Sequence, residues 1–262
     1  MIEMMASPRA FNFSLLEIKM IERTNKNNNR KQKFDRRCIE LSIPTAVLID
    51  GGFFLRRYKS LYEANQEHTP EQIVKNLIRM AVVHANKDNG SLYRIFFYDC
   101  KPYGKKQHNP ITKRAIDFSK TPEAIKRNTI HELLKKERKV ALRYGEIKDG
   151  NGWSLYKSSL IEILKGNKEI KDLTEKDVFF DMTQKGVDMK IGLDIASLAY
   201  KKLVKRIVLV SGDSDFVPAA KLARKEGIDF ILDPIWNNIH ENLYEHIDGL
   251  TSVLPKPNKK TI

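Results

Sequence analysis

The chain has 262 residues, 41% of them hydrophobic and 31% charged, enough for one sizeable globular domain with extensions. No apolar run approaches the 18 or more residues of a membrane span, and the first residues lack a signal-peptide core. Only Cys38 and Cys100 are available as thiols, which argues against a disulfide scaffold. Together these features predict a soluble, cytoplasmic protein that does not act at a membrane.

The positive charge is concentrated in one part of the chain. The formal net charge is +14, and residues 101–143 alone carry 13 Lys and Arg against 4 Asp and Glu. A basic block beside a nearly neutral remainder indicates a polyanionic partner such as nucleic acid. The alternative is a lysine-rich composition with ordinary solvated faces.

Patterning divides the chain into three parts. Residues 1–44 lack periodicity and are rich in Asn and Lys, which predicts a flexible basic N-terminal extension. Residues 45–254 predict the folded domain, and within it residues 101–177 predict a basic loop and an insertion with some helix. Residues 255–262 form a short basic tail.

Within the domain, short continuous apolar runs alternate with amphipathic segments. Strands are predicted at 45–50, 92–100, 139–147, 206–212, 228–233 and 251–254. Helices are predicted to begin at Thr69 and at Thr121, and to cover 187–203, 216–227 and part of 238–250. This alternation indicates an α/β class, with a central, mainly parallel sheet in a three-layer α/β/α arrangement.

Acidic residues follow several of the predicted strands. They are Asp50, Asp99, Asp213, Asp215 and Asp233. Ligands of such sheets collect at the carboxyl ends of the strands, and Asp188 begins the helix that leads to the strand before Asp213. Any one of these acids could simply cap a helix. Several converging carboxylates would repel one another, so as a group they predict a bound cation, and all-oxygen ligands favour Mg²⁺ or Mn²⁺.

Four segments are distinctive together: VLIDGGFF, FYDCKPY, QKGVDMKIGLDIASLA and IVLVSGDSDFVPAAKLARKEG. In this order they resemble the NYN domain family of PIN-like metal-dependent ribonucleases, and within it the LabA-like (DUF88) group. The resemblance spans about residues 45–254 and is loose between 104 and 178. It implies a PIN-like, Rossmann-like fold and a ribonuclease that holds Mg²⁺ or Mn²⁺.

The resemblance also implies roles for individual residues. Asp50, Asp188, Asp213 and Asp215 would be the catalytic, metal-binding acids, with Asp194 as a lower-ranked further ligand. Ser211 and Ser214 match the hydroxyl positions of the family and would orient ligands or contact phosphate. Phe53 departs from the pattern, because many relatives have Asn at that position, and this puts in doubt any function of that amide.

The basic segment supplies the predicted contacts to the nucleic acid. They are Lys101, Lys105, Lys106, Lys113 and Arg114. Tyr98 and Tyr103 could stack on bases, although packing is the more common function of such aromatic residues. The predicted partner is single-stranded or structured RNA, and a homodimer is a candidate assembly.

Three other functions share parts of this sequence pattern. A catalytically weak RNA-binding or regulatory PIN-like module stays open. A haloacid dehalogenase-like phosphatase would need a second carboxylate at Gly52, and a Toprim-type site would need Glu in place of Asp50.

Overall fold

A computed structural model describes residues 42–63 and 66–256. The predicted N-terminal extension up to residue 41, and the tail from residue 257, lie outside the described residues. No helix within the described ranges is both long enough and apolar enough to cross a membrane.

Seven strands form one sheet in the order β6-β5-β2-β1-β7-β8-β9, and β3 and β4 form a separate two-stranded hairpin. The strands are β1 Ile43–Asp50, β2 Gly90–Cys100, β3 Lys106–His108, β4 Ala115–Asp117, β5 Val140–Leu155, β6 Val178–Lys185, β7 Arg206–Val210, β8 Asp229–Asp233 and β9 Gly249–Leu250. In the large sheet only β5 and β6 pair antiparallel, and every other neighbouring pair is parallel.

Helices cover both faces of this sheet. They are α1 Gly51–Tyr62, α2 Pro70–Ala85, α3 Pro122–Lys136, α4 Lys157–Leu164, α5 Val187–Tyr200, α6 Val217–Lys225 and α7 Glu241–Tyr244. Apolar residues of α1, α2 and α3 pack on one face, and those of α5, α6 and α7 pack on the other. The predicted α/β class, with three layers and a mainly parallel sheet, is confirmed.

Strand β1 lies in the middle of the sheet. It pairs parallel with β2 on one side and with β7 on the other. Its residues alternate between the two cores, with Ala46 and Leu48 facing α5 and Val47 and Ile49 facing α1 and α2. All four are fully buried, which explains why this strand has a continuous apolar sequence.

Several helix ends follow the local sequence. Thr69 caps α2 in a reciprocal capping box with Gln72, and Thr121 caps α3 by accepting from the N–H of Ala124. Gly227, at φ 78°, closes α6: its N–H donates to the carbonyl of Arg224, and that of Ile228 donates to Ala223. The predicted helix boundaries at these residues are confirmed.

The region of the predicted insertion differs most from expectation. Strand β5 does not end near residue 147; its second half leaves β2 and forms an antiparallel ribbon with β6, a strand that the sequence analysis did not assign. The residues of β6 are mostly half-buried or exposed, so this strand lacks the apolar run of a central strand.

The last strand that the structure describes is Gly249–Leu250, so the prediction of a strand at 251–254 is wrong.

Gly51 and Gly52 offer a matched test of packing at the start of α1. A Cβ on Gly51 would lie 2.6 Å from the Phe97 ring and 2.7 Å from the carbonyl oxygen of Tyr98, whereas one on Gly52 would meet only side-chain atoms, at 3.3 Å or more. We expect Gly51→Ala to lower the free energy of unfolding by about 1–3 kcal/mol. Gly52→Ala should change it by much less. Equal urea midpoints for the two variants would contradict the packing described here.

Candidate active site

The alternation of side chains along the strands decides which acids can meet. Asp50 ends β1 two residues after Leu48, so its side chain belongs to the face that α5 covers. In β2, opposite Asp50, it is Tyr98 that belongs to this face. Asp99 therefore points to the opposite face, and the two strand-end acids are separated by the sheet.

Asp50 is held by the helix that follows it. Its Oδ1 accepts a hydrogen bond of 3.0 Å from the N–H of Phe53 and caps α1. Burial raises the pKa of Asp50 above its usual value, the bond from Phe53 opposes this, and the charge of Asp188 raises the pKa further. Asp50 therefore caps α1 and also interacts electrostatically with Asp188.

The loop after β7 presents the next two acids. Asp213 accepts from the N–H of Asp215 at 3.0 Å and caps the 3₁₀ turn Ser214–Phe216, and both carboxylates belong to exposed residues. The hydroxyl of the fully buried Ser211 accepts from the N–H of Asp213 at 3.3 Å. Ser211 therefore supports the acidic loop from beneath, whereas Ser214 is exposed on it.

Asp188 connects the two loops electrostatically. It lies in the first turn of α5, which begins after Gly186 in the left-handed conformation at φ 78°. Burial raises the pKa of Asp188, and the charges of Asp213 and Asp215 raise it further. Since Asp188 also raises the pKa of Asp50, the four predicted acids form one group of interacting negative charges.

The four carboxylates do not form a closed ligand cage. Across the ranges that the structure describes, no three His, Cys, Asp or Glu side chains are close enough together to hold a metal ion. Mg²⁺ is commonly held by only one or two carboxylates, with waters and substrate phosphates completing its shell. The all-oxygen donors at this corner fit that mode of binding.

Asp99 and Asp233 do not join the acidic group, because each is paired with a buried histidine. Each is buried and lies on the face covered by α2 and α3, where Oδ2 of Asp233 is 2.7 Å from Nε2 of His84 and Oδ2 of Asp99 is 2.8 Å from Nε2 of His131. Arg127 also approaches Asp99, at 3.3 Å. These strand-end acids serve the core, and the two buried histidines are satisfied core residues.

Asp194 is held by neighbours on α5's face of the sheet. Its Oδ2 accepts from the hydroxyl of Tyr98 at 2.8 Å and from Nε of Arg143 at 3.0 Å. Its function as a further metal ligand stays a prediction.

The two tyrosines proposed to stack on bases are packed inside the fold. Tyr98 is fully buried, and Tyr103 is nearly buried and packs against Phe118 and Phe180, so neither ring is open for stacking on a base.

A groove of about 320 Å³ lies beyond the carboxyl end of β2, and its lining includes Lys101, Tyr103, Lys105 and Gly145. Gly145 itself packs closely against the start of α5, because a Cβ there would lie 2.8 Å from Cγ2 of Val187, the residue before Asp188.

Two of the five basic residues predicted to contact nucleic acid interact with neighbouring side chains. Lys101 lies over the ring of Tyr144, and Lys105 forms a 3.1 Å ion pair with Asp149. The other predicted contacts lie in and around the exposed β3–β4 hairpin: Lys106, Lys113 and Arg114.

Two amide side chains near the acids were missed in the sequence. Oε1 of Gln184 would lie 3.3 Å from a Cβ on Gly52, and Nδ2 of Asn237 would lie 3.1 Å from a Cβ on Gly212. Asn237 belongs to the loop after β8, which is distant in sequence from the four acids, so no sequence signal pointed to it. Gln184 lies near the end of β6, just before the Lys-Gly-Val-Asp segment, and this position was the one available signal.

A mainly parallel α/β sheet with acids on the loops at its carboxyl edge is the arrangement of PIN-like nucleases, and the comparison with family models agrees. The NYN domain model matches residues 44–235, and the chain belongs to this family, which is a nuclease family. Among solved structures the chain is similar to a protein of unknown function from Vibrio parahaemolyticus, at 14% identity and a TM-score of 0.44, with 85% of this chain and 96% of that chain covered. No curated protein matches significantly.

The buried and exposed acids should respond differently to truncation. Asp99→Ala and Asp233→Ala each leave a buried histidine without its partner, and we expect each to lower the free energy of unfolding by about 2–5 kcal/mol. Asp213→Ala removes an exposed cap and should cost about 1 kcal/mol. Urea denaturation monitored by circular dichroism tests this, and similar losses in all three variants would contradict the division.

The raised pKa of Asp50 predicts a stability change with a definite sign. A carboxyl whose pKa is higher in the folded state destabilises the fold at pH values above that pKa, and the loss disappears as the pH falls below the unfolded value of about 3.9. We therefore expect Asp50→Asn, which can still cap α1, to be more stable than the wild type at pH 7 in EDTA. The difference should close near pH 3.

Asp177 provides a control of opposite sign. Lys168, together with Thr174 and Ser159, holds the pKa of Asp177 below its usual range, so its ionised form stabilises the fold. Asp177→Asn should therefore be less stable than the wild type at pH 7. If Asp50→Asn also loses stability at pH 7, the electrostatic description of the site is wrong.

Proposed function

We propose that this chain is a metal-dependent ribonuclease that hydrolyses RNA phosphodiester bonds at the corner formed by Asp50, Asp188, Asp213 and Asp215. The observation that carries the proposal is the convergence of these acids at the carboxyl edge of the sheet, where burial and then the charges of Asp213 and Asp215 raise the pKa of Asp188, and burial and then the charge of Asp188 raise that of Asp50. A bound cation would relieve this repulsion, which is why clustered acids of this kind are typical of metal sites.

The proposed cofactor is Mg²⁺ or Mn²⁺, and the oxygen-only donors fit either ion. Such an ion supplies Lewis-acid polarisation of a phosphate oxygen and lowers the pKa of a bound water. Asp50, Asp188, Asp213 and Asp215 would hold it. The bonds from the N–H of Phe53 to Asp50 and from the N–H of Asp213 to Ser211 position the acidic loops before any ligand arrives.

Direct hydrolysis by water is the proposed reaction, without a covalent intermediate. The two buried histidines, His84 and His131, are each engaged by an aspartate on the opposite face of the sheet, so they are not placed to activate a serine at the acidic corner. Ser211 is fully buried and accepts from Asp213, which suits a positioning function and not that of a nucleophile.

The proposed substrate is RNA, and the basic groove supports a phosphodiester ligand. Lys101 and Lys105 line the groove beyond the carboxyl end of β2, the edge of the sheet at which Asp50 also lies, and there they would neutralise backbone phosphates of the bound strand. The choice of RNA over DNA follows from the resemblance to the ribonucleases of the family. A cytoplasmic location is part of the same proposal.

A catalytically weak RNA-binding module is the second candidate. It is favoured by the lack, in the described part of the chain, of a closed cluster of three metal ligands. Phe53, which stands where many relatives have Asn, also favours the binding module.

Cleavage of end-labelled single-stranded and structured RNA in Mn²⁺, Mg²⁺ or EDTA distinguishes the two candidates. We expect cleavage only with a divalent ion, and a loss of about 10- to 100-fold or more in Asp213→Asn, which retains a capping side chain. Glu175→Gln, the same change of charge at an exposed acid in another part of the fold, is the control. Binding without cleavage by every variant would leave the binding module as the function.

The salt dependence of RNA affinity tests the basic groove separately. Lys101→Ala and Lys105→Ala should each weaken binding and reduce the slope of log K against log salt by about 0.7, the value for one contact to a single strand. Lys171→Ala is the matched control, since Lys171 is an exposed lysine paired with an acid, as Lys105 is. The same slope in all three variants would exclude Lys101 and Lys105 as phosphate contacts.

A further inference from the structure

The loop after β8 contains a strained turn. Ile235 and Trp236 both have positive φ, at 46° and 58°, in succession. A β-branched residue and an aromatic residue rarely adopt this left-handed conformation, and each costs free energy that the surrounding structure must supply.

Hydrogen bonds with Asp233, Arg57 and Ser252 hold the turn, the last being from the N–H of Trp236 at 3.0 Å. Oδ1 of Asp233 accepts from the N–H of Ile235 at 2.8 Å, while the other oxygen of the same carboxylate binds His84. Arg57 of α1 donates to the carbonyls of Ile235 and Trp236 at 3.0 and 2.8 Å. The conformation is therefore built into the fold, because one end is fixed to the core and the other to α1.

The turn delivers Asn237 to the acidic corner. The side-chain Nδ2 of Asn237 lies 3.1 Å, and the ring of Phe53 3.0 Å, from the position that a Cβ on Gly212 would occupy. Gly212 directly precedes Asp213, and the N–H of Phe53 binds Asp50. Asn237 thus lies where the two acid-bearing loops approach each other.

The amide of Asn237 has no internal function that explains this placement. Asn237 is exposed, and its side chain makes no hydrogen bond to any other residue in the described ranges. Its backbone N–H donates to the carbonyl of Pro234, a bond that any residue other than proline could make. The turn is firmly held although its backbone is strained, and it presents an exposed amide next to Gly212, the residue before Asp213, which indicates a ligand contact.

We propose that Asn237 is a substrate-contact residue whose side-chain amide donates a hydrogen bond to a non-bridging oxygen of the scissile phosphate. The inference rests on the proposed nuclease function and extends it to a residue outside the predicted acids. A neutral donor suits this position, because it can bind a phosphate oxygen without adding a positive charge that would compete with the proposed cation for the acids. Glycine at position 212 permits this close approach, since a Cβ there would be in tight contact with both Phe53 and Asn237, at 3.0 and 3.1 Å.

The test compares Asn237→Ala with Asn238→Ala, the same truncation at the next exposed residue of the loop. Cleavage of a short single-stranded RNA with saturating Mn²⁺ gives kcat and KM, and thermal unfolding shows whether each variant is folded. We expect Asn237→Ala to lose about 10- to 100-fold in kcat/KM with an unchanged unfolding temperature, and Asn238→Ala to match the wild type.

A third variant, Asn237→Asp, separates contact from packing. It preserves the size of the side chain but adds a negative charge, so it should lose at least as much kcat/KM as the alanine variant. Wild-type activity in Asn237→Ala or Asn237→Asp overturns the inference and leaves the nuclease proposal standing. If the wild type itself does not cleave with any divalent ion, the proposed function fails first and this inference fails with it.

Discussion

The parallel pairing of β1 with both β2 and β7 is the constraint on which the rest of the structure depends. It places the carboxyl ends of three strands at one edge and brings the loops that follow β1 and β7 together. Because side chains alternate along each strand, the pairing also sorts the strand-end acids by face. Asp50 is directed toward α5, whereas Asp99 and Asp233 are directed toward the histidines of α2 and α3.

Structural and chemical functions coincide at the acidic corner. Asp50 caps α1 and Asp213 caps a 3₁₀ turn, yet both also belong to the group of repelling charges centred on Asp188. Capping fixes one oxygen of each carboxylate, which limits how far the side chains can move apart. Helix capping by Asp50 and Asp213 is therefore compatible with the proposed metal site, because capping would hold their carboxylates in place for a cation.

Much of the fold could be predicted from local signals. Continuous apolar runs located β1, β2, β7 and β8, and Thr69, Thr121 and Gly227 marked helix ends. The ribbon formed by the second half of β5 and by β6 could not be found in this way, since these segments are stabilised by pairing with each other and are mostly half-buried or exposed. The same limit explains the misplaced last strand, because Gly249 and Leu250 become a strand only by pairing with β8.

The sequence by itself determined the α/β class, the acidic motifs at the strand ends and the resemblance to the NYN family, because these depend on periodicity and on residues near one another in the chain. Only the tertiary structure decided that Asp99 and Asp233 belong to buried histidine pairs, that Tyr98 and Tyr103 are packed away, and that Asn237 lies beside Gly212. These contacts join residues far apart in sequence, and their partners are selected by strand order and by the face to which each side chain points.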